Sequence, residues 1–279
     1  MKLGIFADSI WGLNFIKKIS TDRKYKICFV VGRTKKDEKI FKFCKKRKIK
    51  FHIFKNVNSD TSFKTISSYK CDILVSMSYD QIFKKKILKL NKFGIINCHA
   101  GLLPSYRGRN VLNWVLINGE RFFGITVHKV DEYIDNGEII FQKKFRIFNK
   151  DNYKTLLNKC YVECPKILIK ALKIISGNTN PITDNRGISP SYYKKRKRGD
   201  EIIDWNQNFE QIKCFVKALV YPGPYACFKY NNKNFKVSDV KVFRYKVDKN
   251  IPNGTILNLY KNKLIIKCNN AEIKVNIVN

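Results

Sequence analysis

The sequence predicts an α/β protein with a mostly parallel sheet, helices on both faces of that sheet, and a small C-terminal β subdomain. Two observations predict the sheet. Short apolar runs alternate with amphipathic stretches over about the first 150 residues, and the first run leads through a polar turn directly into a helix. A third observation predicts the subdomain, because the chain from residue 221 consists of short alternating segments separated by turn-forming residues.

The predicted strands of the main sheet are short apolar runs. They are 2–7 (KLGIFA), 26–32 (KICFVVG), 51–54 (FHIF), 71–78 (CDILVSMS), 94–100 (GIINCHA), 124–130 (GITVHKV) and 137–147 (GEIIFQKKFRI). The stretches between them carry apolar residues at helical spacing, and they predict helices over 11–19, 36–48, 60–69, 81–90 and 110–120. Strands that alternate with helices in this way indicate a Rossmann-like arrangement.

The second half of the chain predicts two further helices and the β subdomain. Residues 151–175 form a long amphipathic stretch that Pro165 can kink. A second helix, NFEQIKCFVKALV, follows Asn206 as its expected cap. A Gly-, Pro-, Asn- and Ser-rich stretch separates the two helices. We therefore predict a Rossmann-like domain over 1–185, a linker and helix over 186–220, and a β subdomain over 221–279.

The formal net charge is +34, which could attract nucleic acid, an anionic membrane or a phosphorylated substrate. The basic residues comprise 11 arginines and 45 lysines, and the lysines are spread along the whole chain. Because phosphate-binding surfaces tend to concentrate arginine, we interpret most of the excess as compositional bias. The positive field would still help to attract an anionic substrate.

The cysteines and the apolar segments indicate a cytoplasmic protein. Nine cysteines without a C-x-x-C spacing disfavour a disulfide framework or a zinc site, so we expect free thiols, a reducing compartment and no bound metal. The N-terminal residues MKLGIFADSIWGL lack the pattern of a signal peptide. No apolar window reaches the length of a membrane-spanning helix, so we expect no membrane insertion.

Ligands of parallel sheets bind beyond the carboxyl ends of the strands, which points to the loops after the first strand and after GIIN. Asn97 and His99 alternate at one strand end and should share a face, whereas Cys98 should point away. An imidazole and an amide together suit acyl transfer at a carbonyl, and Asp135 in IDNGE could orient the ring. The alternative is that Asn97 and His99 only satisfy backbone groups in a turn. Since no G-x-S-x-G nucleophile is present, transfer without a covalent intermediate is favoured.

The segments NCHAGLLPSYRGRNVLNWVLINGE and GITVHKVDEYIDNGEII resemble the formyltransferases that use N10-formyltetrahydrofolate, over most of residues 70–145. The N-x-H…D-x-G pattern of that family falls on Asn97, His99 and Asp135. The resemblance implies that Asn97 and His99 hold the formyl oxygen as it becomes anionic. It also implies that Asp135 holds the imidazole and helps the attacking amine to lose its proton.

The same resemblance implies N10-formyltetrahydrofolate as co-substrate, with SMSYDQIF matching the loop that brackets its pterin. The folate-binding residues it implies are Ser78, Tyr79, Asp80, Ile82, Asp131 and Glu132. The alternative for Tyr79 and Asp80 is that these residues only turn the chain.

Three classes of acceptor amine compete within the family: methionyl-tRNA, glycinamide ribonucleotide and sugar nucleotides. The phrases R-G-R-x-x-L-N-W, D-S-x-W-G-L and Y-P-G-P-Y-A resemble the sugar-nucleotide enzymes. Methionyl-tRNA is disfavoured as the acceptor because the chain has R-G-R in place of R-G-A-A-P and because its β subdomain is short. Glycinamide ribonucleotide is disfavoured because a β subdomain is present at all. The resemblance therefore implies a dTDP-linked amino-dideoxy sugar, such as dTDP-4-amino-4,6-dideoxyglucose or the 3-amino isomer, for surface polysaccharide (O-antigen) synthesis, and a homodimer. A methionyl-tRNA formyltransferase and an inactive folate- or RNA-binding module are the alternatives.

A nucleotide-linked acceptor needs groups that bind its diphosphate and its base. The candidates are Ser9, Trp11, Gly12, Ser105, Arg107, Arg109, Lys195, Arg196, Tyr221 and Tyr225. Three alternatives stay open: Arg107 braces its own loop, Lys195 and Arg196 belong to a solvated basic strip, and the two tyrosines pack against apolar neighbours. Trp114 is predicted to lie in the core.

Overall fold

The computed structural model describes residues 1–33, 38–177, 189–260 and 263–278. The chain forms two compact units. The first comprises Met1–Gly108, Gly124–Phe145 and Lys159–Tyr192; the second comprises Arg109–Phe123, Arg146–Asn158 and Tyr193–Asn279. The domain boundary predicted between residues 185 and 186 lies outside the described residues.

The described strands are β1 (Lys2–Ala7), β2 (Lys26–Gly32), β3 (Lys50–Ile53), β4 (Ile73–Met77), β5 (Ile95–His99), β6 (Arg107–Gly108), β7 (Phe122–Lys129), β8 (Ile139–Arg146), β9 (Tyr192–Tyr193), β10 (Ala226–Tyr230), β11 (Lys233–Arg244), β12 (Ile256–Tyr260), β13 (Lys263–Lys267) and β14 (Glu272–Val278). The described helices are α1 (Ser9–Ile19), α2 (Glu38–Lys46), α3 (Asp60–Ser68), α4 (Lys85–Leu88), α5 (Val111–Ile117), α6 (Tyr153–Ser176) and α7 (Phe209–Ala218).

The main sheet confirms the predicted fold class. Its strand order is β3-β2-β1-β4-β5-β7-β8, and the pairs from β3 to β5 are parallel. Strand β7 then runs antiparallel to β5, and its register places His128 opposite Asn97. The central strands are apolar because both faces of the sheet are covered; every residue of β4, for example, is buried.

The helix predicted over 81–90 is confirmed only as the four-residue α4. Hydrogen bonds with residues outside the segment engage two of its backbone groups and the Gln81 side chain. Asn58 Nδ2 donates to Ile82 O, Asn58 Oδ1 accepts from the amide of Lys84, and Gln81 Oε1 accepts from the amide of Val57. Phe83 packs in the apolar core at the same place. Tertiary hydrogen bonds and packing therefore override the helical spacing of the apolar residues.

The second unit contains the predicted β subdomain, a five-stranded sheet in the order β10-β11-β14-β13-β12 with antiparallel pairs. The helix before this sheet, α7, begins two residues later than its predicted cap implies. Asn208 is the cap: its side chain accepts from the amide of Gln211, and the Gln211 side chain accepts from the amide of Asn208. This reciprocal capping box satisfies two helix-end amides, so Asn206 was the wrong choice.

Candidate active site

Strand β5 carries the two residues at the centre of the site. Ile95 and Ile96 are buried in the sheet, and Asn97 and His99 follow at the carboxyl end of the strand. They alternate along the strand and therefore share a face. The structure brings both side chains close to one carboxylate, that of Asp135.

Asp135 lies between a histidine on β5 and a histidine on β7. Its Oδ2 is 3.5 Å from Nδ1 of His99, and its Oδ1 is 3.5 Å from Nε2 of His128. Asn97 Nδ2 is 3.5 Å from Oδ1 of the same carboxylate and 3.3 Å from Nε2 of His128. The amide of Gly108 donates to Asp135 Oδ2 at 3.0 Å. Four polar groups thus converge on a carboxylate whose side chain is only 12% exposed.

His99 is held from its other side by a backbone carbonyl. Its Nε2 lies 2.7 Å from Tyr106 O, so Nε2 carries a hydrogen and Nδ1 of the neutral ring has a free lone pair. Gly101 makes this arrangement possible, because a Cβ there would lie 2.5 Å from His99 Nε2 and 2.6 Å from Tyr106 O. The imidazole is therefore fixed in one tautomer with its basic nitrogen toward Asp135.

His128 was missed in the sequence analysis. It is buried, its Nδ1 lies 2.7 Å from Lys129 O, and its Nε2 faces Asn97 and Asp135. The usable signal was that it is one of three histidines in the chain and that it lies in the apolar run GITVHKV. Its catalytic relevance, however, depends on the register between β5 and β7, which a single sequence does not reveal.

The electrostatics of the site follow from burial and charge. Burial lowers the pKa of His99, and this effect exceeds the opposing influence of Asp135 and the Tyr106 carbonyl; His128 lowers it further. Burial alone would raise the pKa of Asp135, but His99, His128 and the Gly108 amide together hold it well below its usual range. Near pH 7 the site therefore contains an ionised carboxylate beside a neutral imidazole.

The turn that carries Asp135 is held in place by backbone contacts. Asp135 has a φ of +49°, a left-handed conformation that is costly for a side chain with a Cβ. Arg107 Nε donates to Ile134 O at 2.9 Å, which supports the alternative that Arg107 braces its loop. Gly137 packs so tightly that a Cβ would lie 1.9 Å from Lys129 O. The D-x-G pattern thus needs its glycine to let the turn approach β7.

The predicted folate-binding residues lie on two loops at the carboxyl ends of β4 and β7. Ser78 is exposed with a φ of +59°, and Ile82 is 61% exposed. The Tyr79 ring packs against the buried aromatic rings of Phe6 and Phe83. Its buried hydroxyl has no hydrogen-bond partner among the residues that the structure describes. Burial raises the pKa of this hydroxyl, with a smaller contribution from the Asp80 carboxylate.

On the second loop, Asp131 binds within its own turn. Its Oδ1 accepts from the amide of Tyr133 and its Oδ2 accepts from Asn136 Nδ2. Glu132 is exposed beside it. Asp131 therefore shapes the loop, and Glu132 remains accessible to a ligand.

Arg33 is a second residue that the sequence analysis missed. It follows β2, and its guanidinium bridges Asp8 after β1 and Asp80 after β4, at 3.2 and 2.7 Å. The bridge joins the loop predicted to bind the acceptor to the loop predicted to bind folate. Asp8 consequently makes no side-chain cap for α1, although it occupies the N-cap position.

The predicted acceptor residues of the first unit have mixed roles. Ser9 is exposed with a φ of +58°. Trp11 is half-buried and packs edge-on against Tyr161. Gly12 is buried, and a Cβ there would lie 2.5 Å from the Cβ of Ala7, so this glycine serves the packing of α1 on β1. Ser105 Oγ donates to Ser189 O at 2.7 Å.

The remaining acceptor candidates lie in the second unit. Arg109 and Lys195 are exposed, Tyr221 is 62% exposed, and Tyr225 is half-buried. The Arg196 guanidinium lies over the Phe215 ring and donates to Asp200 O, which favours a bracing role over phosphate binding.

Trp114, predicted to be core, is only half-buried. Its ring stacks on Tyr193, and its Nε1 donates to Lys194 O. The packing of this indole therefore joins α5 to the basic stretch within the second unit.

None of the helices in residues 1–33, 38–177, 189–260 and 263–278 is long and apolar enough to cross a membrane. Over the same ranges, no group of three or more His, Cys, Asp or Glu side chains is arranged to hold a metal ion.

Two family models match this chain, and several known proteins are similar to it. The model of the family "Formyl transferase" matches residues 19–172, and that of "Formyl transferase, C-terminal domain" matches residues 195–279. The bifunctional polymyxin resistance protein ArnA of Wigglesworthia glossinidia brevipalpis is 37% identical over 82% of this chain, but the match spans only 34% of ArnA. A methionyl-tRNA formyltransferase of Prochlorococcus marinus (strain MIT 9215) is 28% identical over 80% of this chain and 70% of its own length.

Among solved structures, WlaRD, a sugar 3N-formyl transferase crystallised in the presence of dTDP and 5-N-formyl-THF, superposes with a TM-score of 0.75. It covers 100% of this chain and 98% of its own, at 20% identity. At this identity the likeness establishes the shared fold.

Proposed function

The chain belongs to the formyl transferase family, and from this membership we propose that it moves a formyl group from N10-formyltetrahydrofolate to the amine of a dTDP-linked amino-dideoxy sugar. The cluster of Asn97, His99 and Asp135, with His128 behind it, carries the proposal. Asn97 Nδ2 and His99 Nδ1 each lie 3.5 Å from an oxygen of the Asp135 carboxylate, and Asn97 Nδ2 lies 3.3 Å from Nε2 of His128.

The cluster suits attack of an amine on a formyl carbon. Asn97 Nδ2 can donate to the formyl oxygen as negative charge develops on it. His99 Nδ1 has the free lone pair, so it can accept the proton that the amine loses as the new C–N bond forms. Asp135, which stays ionised, stabilises the resulting imidazolium. The bond between the formyl carbon and the donor nitrogen then breaks, the same proton passes to that nitrogen, and the ring returns to its neutral form.

The loop at 78–82 suits a folate co-substrate. The Tyr79 hydroxyl is buried without a partner among the described residues, so a polar ring bound there would supply the missing hydrogen bond. Exposed Ile82 offers an apolar contact beside it. These residues would hold N10-formyltetrahydrofolate, which supplies an activated formyl group when bound.

The acceptor assignment rests on the phrase RGRNVLNW and its resemblance to the sugar-nucleotide enzymes. The ArnA relative, a polymyxin resistance protein, is more similar in sequence than the methionyl-tRNA formyltransferase relative, at 37% against 28% identity. We propose a role in surface polysaccharide synthesis on this basis. A homodimer and a cytoplasmic location stay predictions.

A turnover assay tests the proposal. The protein is incubated with N10-formyltetrahydrofolate and a panel of dTDP- and UDP-linked 3-amino and 4-amino sugars, and release of tetrahydrofolate is followed. His99→Ala serves as the blank for uncatalysed transfer. We expect turnover above this blank with at least one dTDP sugar. Turnover on methionyl-tRNA alone would exclude the sugar-nucleotide assignment.

Methionyl-tRNA is the second candidate acceptor. The relatives include several methionyl-tRNA formyltransferases of 28–32% identity, and the net charge of +34 suits an anionic macromolecule. The third candidate, an inactive folate- or RNA-binding module, would show RNA affinity that falls steeply with salt and no turnover on any acceptor. The complete catalytic cluster argues against it.

A further inference from the structure

The loop that carries Tyr106 is held by a short segment from far along the chain. We call residues 189–192 the strap. Ser105 Oγ donates to Ser189 O at 2.7 Å, the amide of Tyr106 donates to Ser191 Oγ at 2.9 Å, and the amide of Arg107 donates to Ser191 O at 2.9 Å. The strap and this loop belong to the same unit. Ser191 therefore accepts hydrogen bonds from two successive backbone amides, that of Tyr106 through its hydroxyl and that of Arg107 through its carbonyl.

Tyr106 needs such support because its backbone is in an unfavourable conformation. Its φ is +58°, in the left-handed region where a residue with a Cβ pays about 1 kcal/mol or more. The carbonyl that this conformation presents is the one that accepts from His99 Nε2. If the loop relaxed to an ordinary conformation, the carbonyl would turn away from the imidazole.

We propose that Ser191 is a positioning residue for the transfer reaction, which holds His99 in its working tautomer through the backbone of Tyr106. The chain of contacts is short: Ser191 Oγ accepts from the Tyr106 amide, and Tyr106 O accepts from the His99 ring. This inference rests on the proposed function for its turnover measurements. Its second measurement, the titration of His99 in the free protein, needs no acceptor.

The strap contains its own matched control. The contact that the structure records for Ser189 at the catalytic loop uses its backbone oxygen, so Ser189→Ala keeps that contact. Ser191→Ala is the same substitution, but it removes the hydroxyl that accepts from the Tyr106 amide. Ser191→Thr keeps a hydroxyl at the position and should restore what Ser191→Ala loses.

The first readout is steady-state kinetics with N10-formyltetrahydrofolate and whichever acceptor turns over. We expect Ser191→Ala to lower kcat about five- to tenfold, the equivalent of one hydrogen bond, with KM for both substrates within about twofold of wild type. Ser189→Ala and Ser191→Thr should retain kcat within about twofold. A purely structural role for Ser191 would instead lower the folded fraction and leave kcat per folded molecule unchanged.

The second readout is the imidazole titration of His99 followed by NMR. Because the Tyr106 carbonyl raises the pKa of His99, loosening this contact should lower it further in Ser191→Ala. Ser189→Ala and Ser191→Thr should titrate like wild type. A folded Ser191→Ala with wild-type kcat, or with a wild-type His99 titration, would overturn the proposal. If Ser191→Ala does not fold, the same comparison is made between Ser191→Thr and Ser191→Val, which have the same shape and differ in the hydroxyl.

Discussion

His128 Nε2 lies 3.5 Å from Asp135 Oδ1, while the other oxygen of the same carboxylate faces His99. The carboxylate is therefore shared by two imidazoles on neighbouring strands. This relationship links the charge of the site to both rings, because each histidine lowers the pKa of Asp135 and His128 also lowers that of His99.

Removing His128 should shift the pH dependence of transfer. In His128→Leu both Asp135 and His99 lose a neighbour that lowers their pKa, so the acid limb of the kcat profile should move to higher pH. We expect kcat near pH 7 to fall about tenfold. His52→Leu is the matched control, since His52 lies on β3 and binds the Tyr69 hydroxyl. An unmoved acid limb in His128→Leu would show that His128 does not influence the reacting groups.

His99→Ala should lower kcat by about 10²–10⁴-fold, since the variant lacks the group that accepts the proton of the attacking amine. The circular-dichroism spectrum should remain that of the folded protein, because β5 is anchored by its apolar residues. A kcat within about tenfold of wild type would remove His99 from the proposed mechanism.

The wild-type profile should keep its activity to mildly acidic pH. The working form of His99 is neutral, and burial lowers its pKa below the ordinary value of 6.5. Activity is therefore lost only as the pH falls through a value under 6.5, and the limb reports the coupled titration of His99 and Asp135. If the acid limb of the kcat profile had its midpoint above pH 6.5, the assignment of a neutral, buried His99 ring would be contradicted.

Gly137→Ala should displace the turn that carries Asp135. The added Cβ would lie 1.9 Å from a backbone oxygen of β7, which cannot be relieved by a side-chain rotation. We expect a loss of about 1–3 kcal/mol in the free energy of unfolding, measured by urea denaturation, together with a lower kcat. Asn136→Ala, in the same turn, removes only a hydrogen bond to Asp131 and should retain kcat. Equal kcat losses in the two variants would argue against a specific role for the glycine.

Arg33→Met should weaken donor binding more than catalysis. It leaves Asp8 and Asp80 without their shared cation, so the folate loop at 78–82 loses its link to the loop after β1. We expect KM for N10-formyltetrahydrofolate to rise about threefold with kcat nearly unchanged, a modest effect because the pair is partly exposed. Arg23→Met, at an exposed arginine, provides the comparison. A wild-type KM in Arg33→Met would show that the bridge does not position the loop.

The fold could be predicted from the sequence because burial imposes a pattern on the residues themselves. Strands covered on both faces are continuous apolar runs, and KICFVVG and CDILVSMS match β2 and β4 to within a few residues. The helix over 81–90 failed for a physical reason. The Asn58 side chain binds the backbone of that segment and the Gln81 side chain accepts from the amide of Val57, and hydrogen bonds with distant residues leave no periodic pattern.

The sequence by itself determined the class of fold, because burial in a covered sheet leaves a local pattern of apolar runs. It proposed Asn97, His99 and Asp135 as central groups through the N-x-H…D-x-G pattern. Only the tertiary structure decided which groups surround them. His128 enters the site through the antiparallel register of β5 and β7. Ser191 reaches the Tyr106 loop across 85 residues of sequence. Such contacts depend on how strands and segments pair in space, and pairing is set by the packing of the whole sheet.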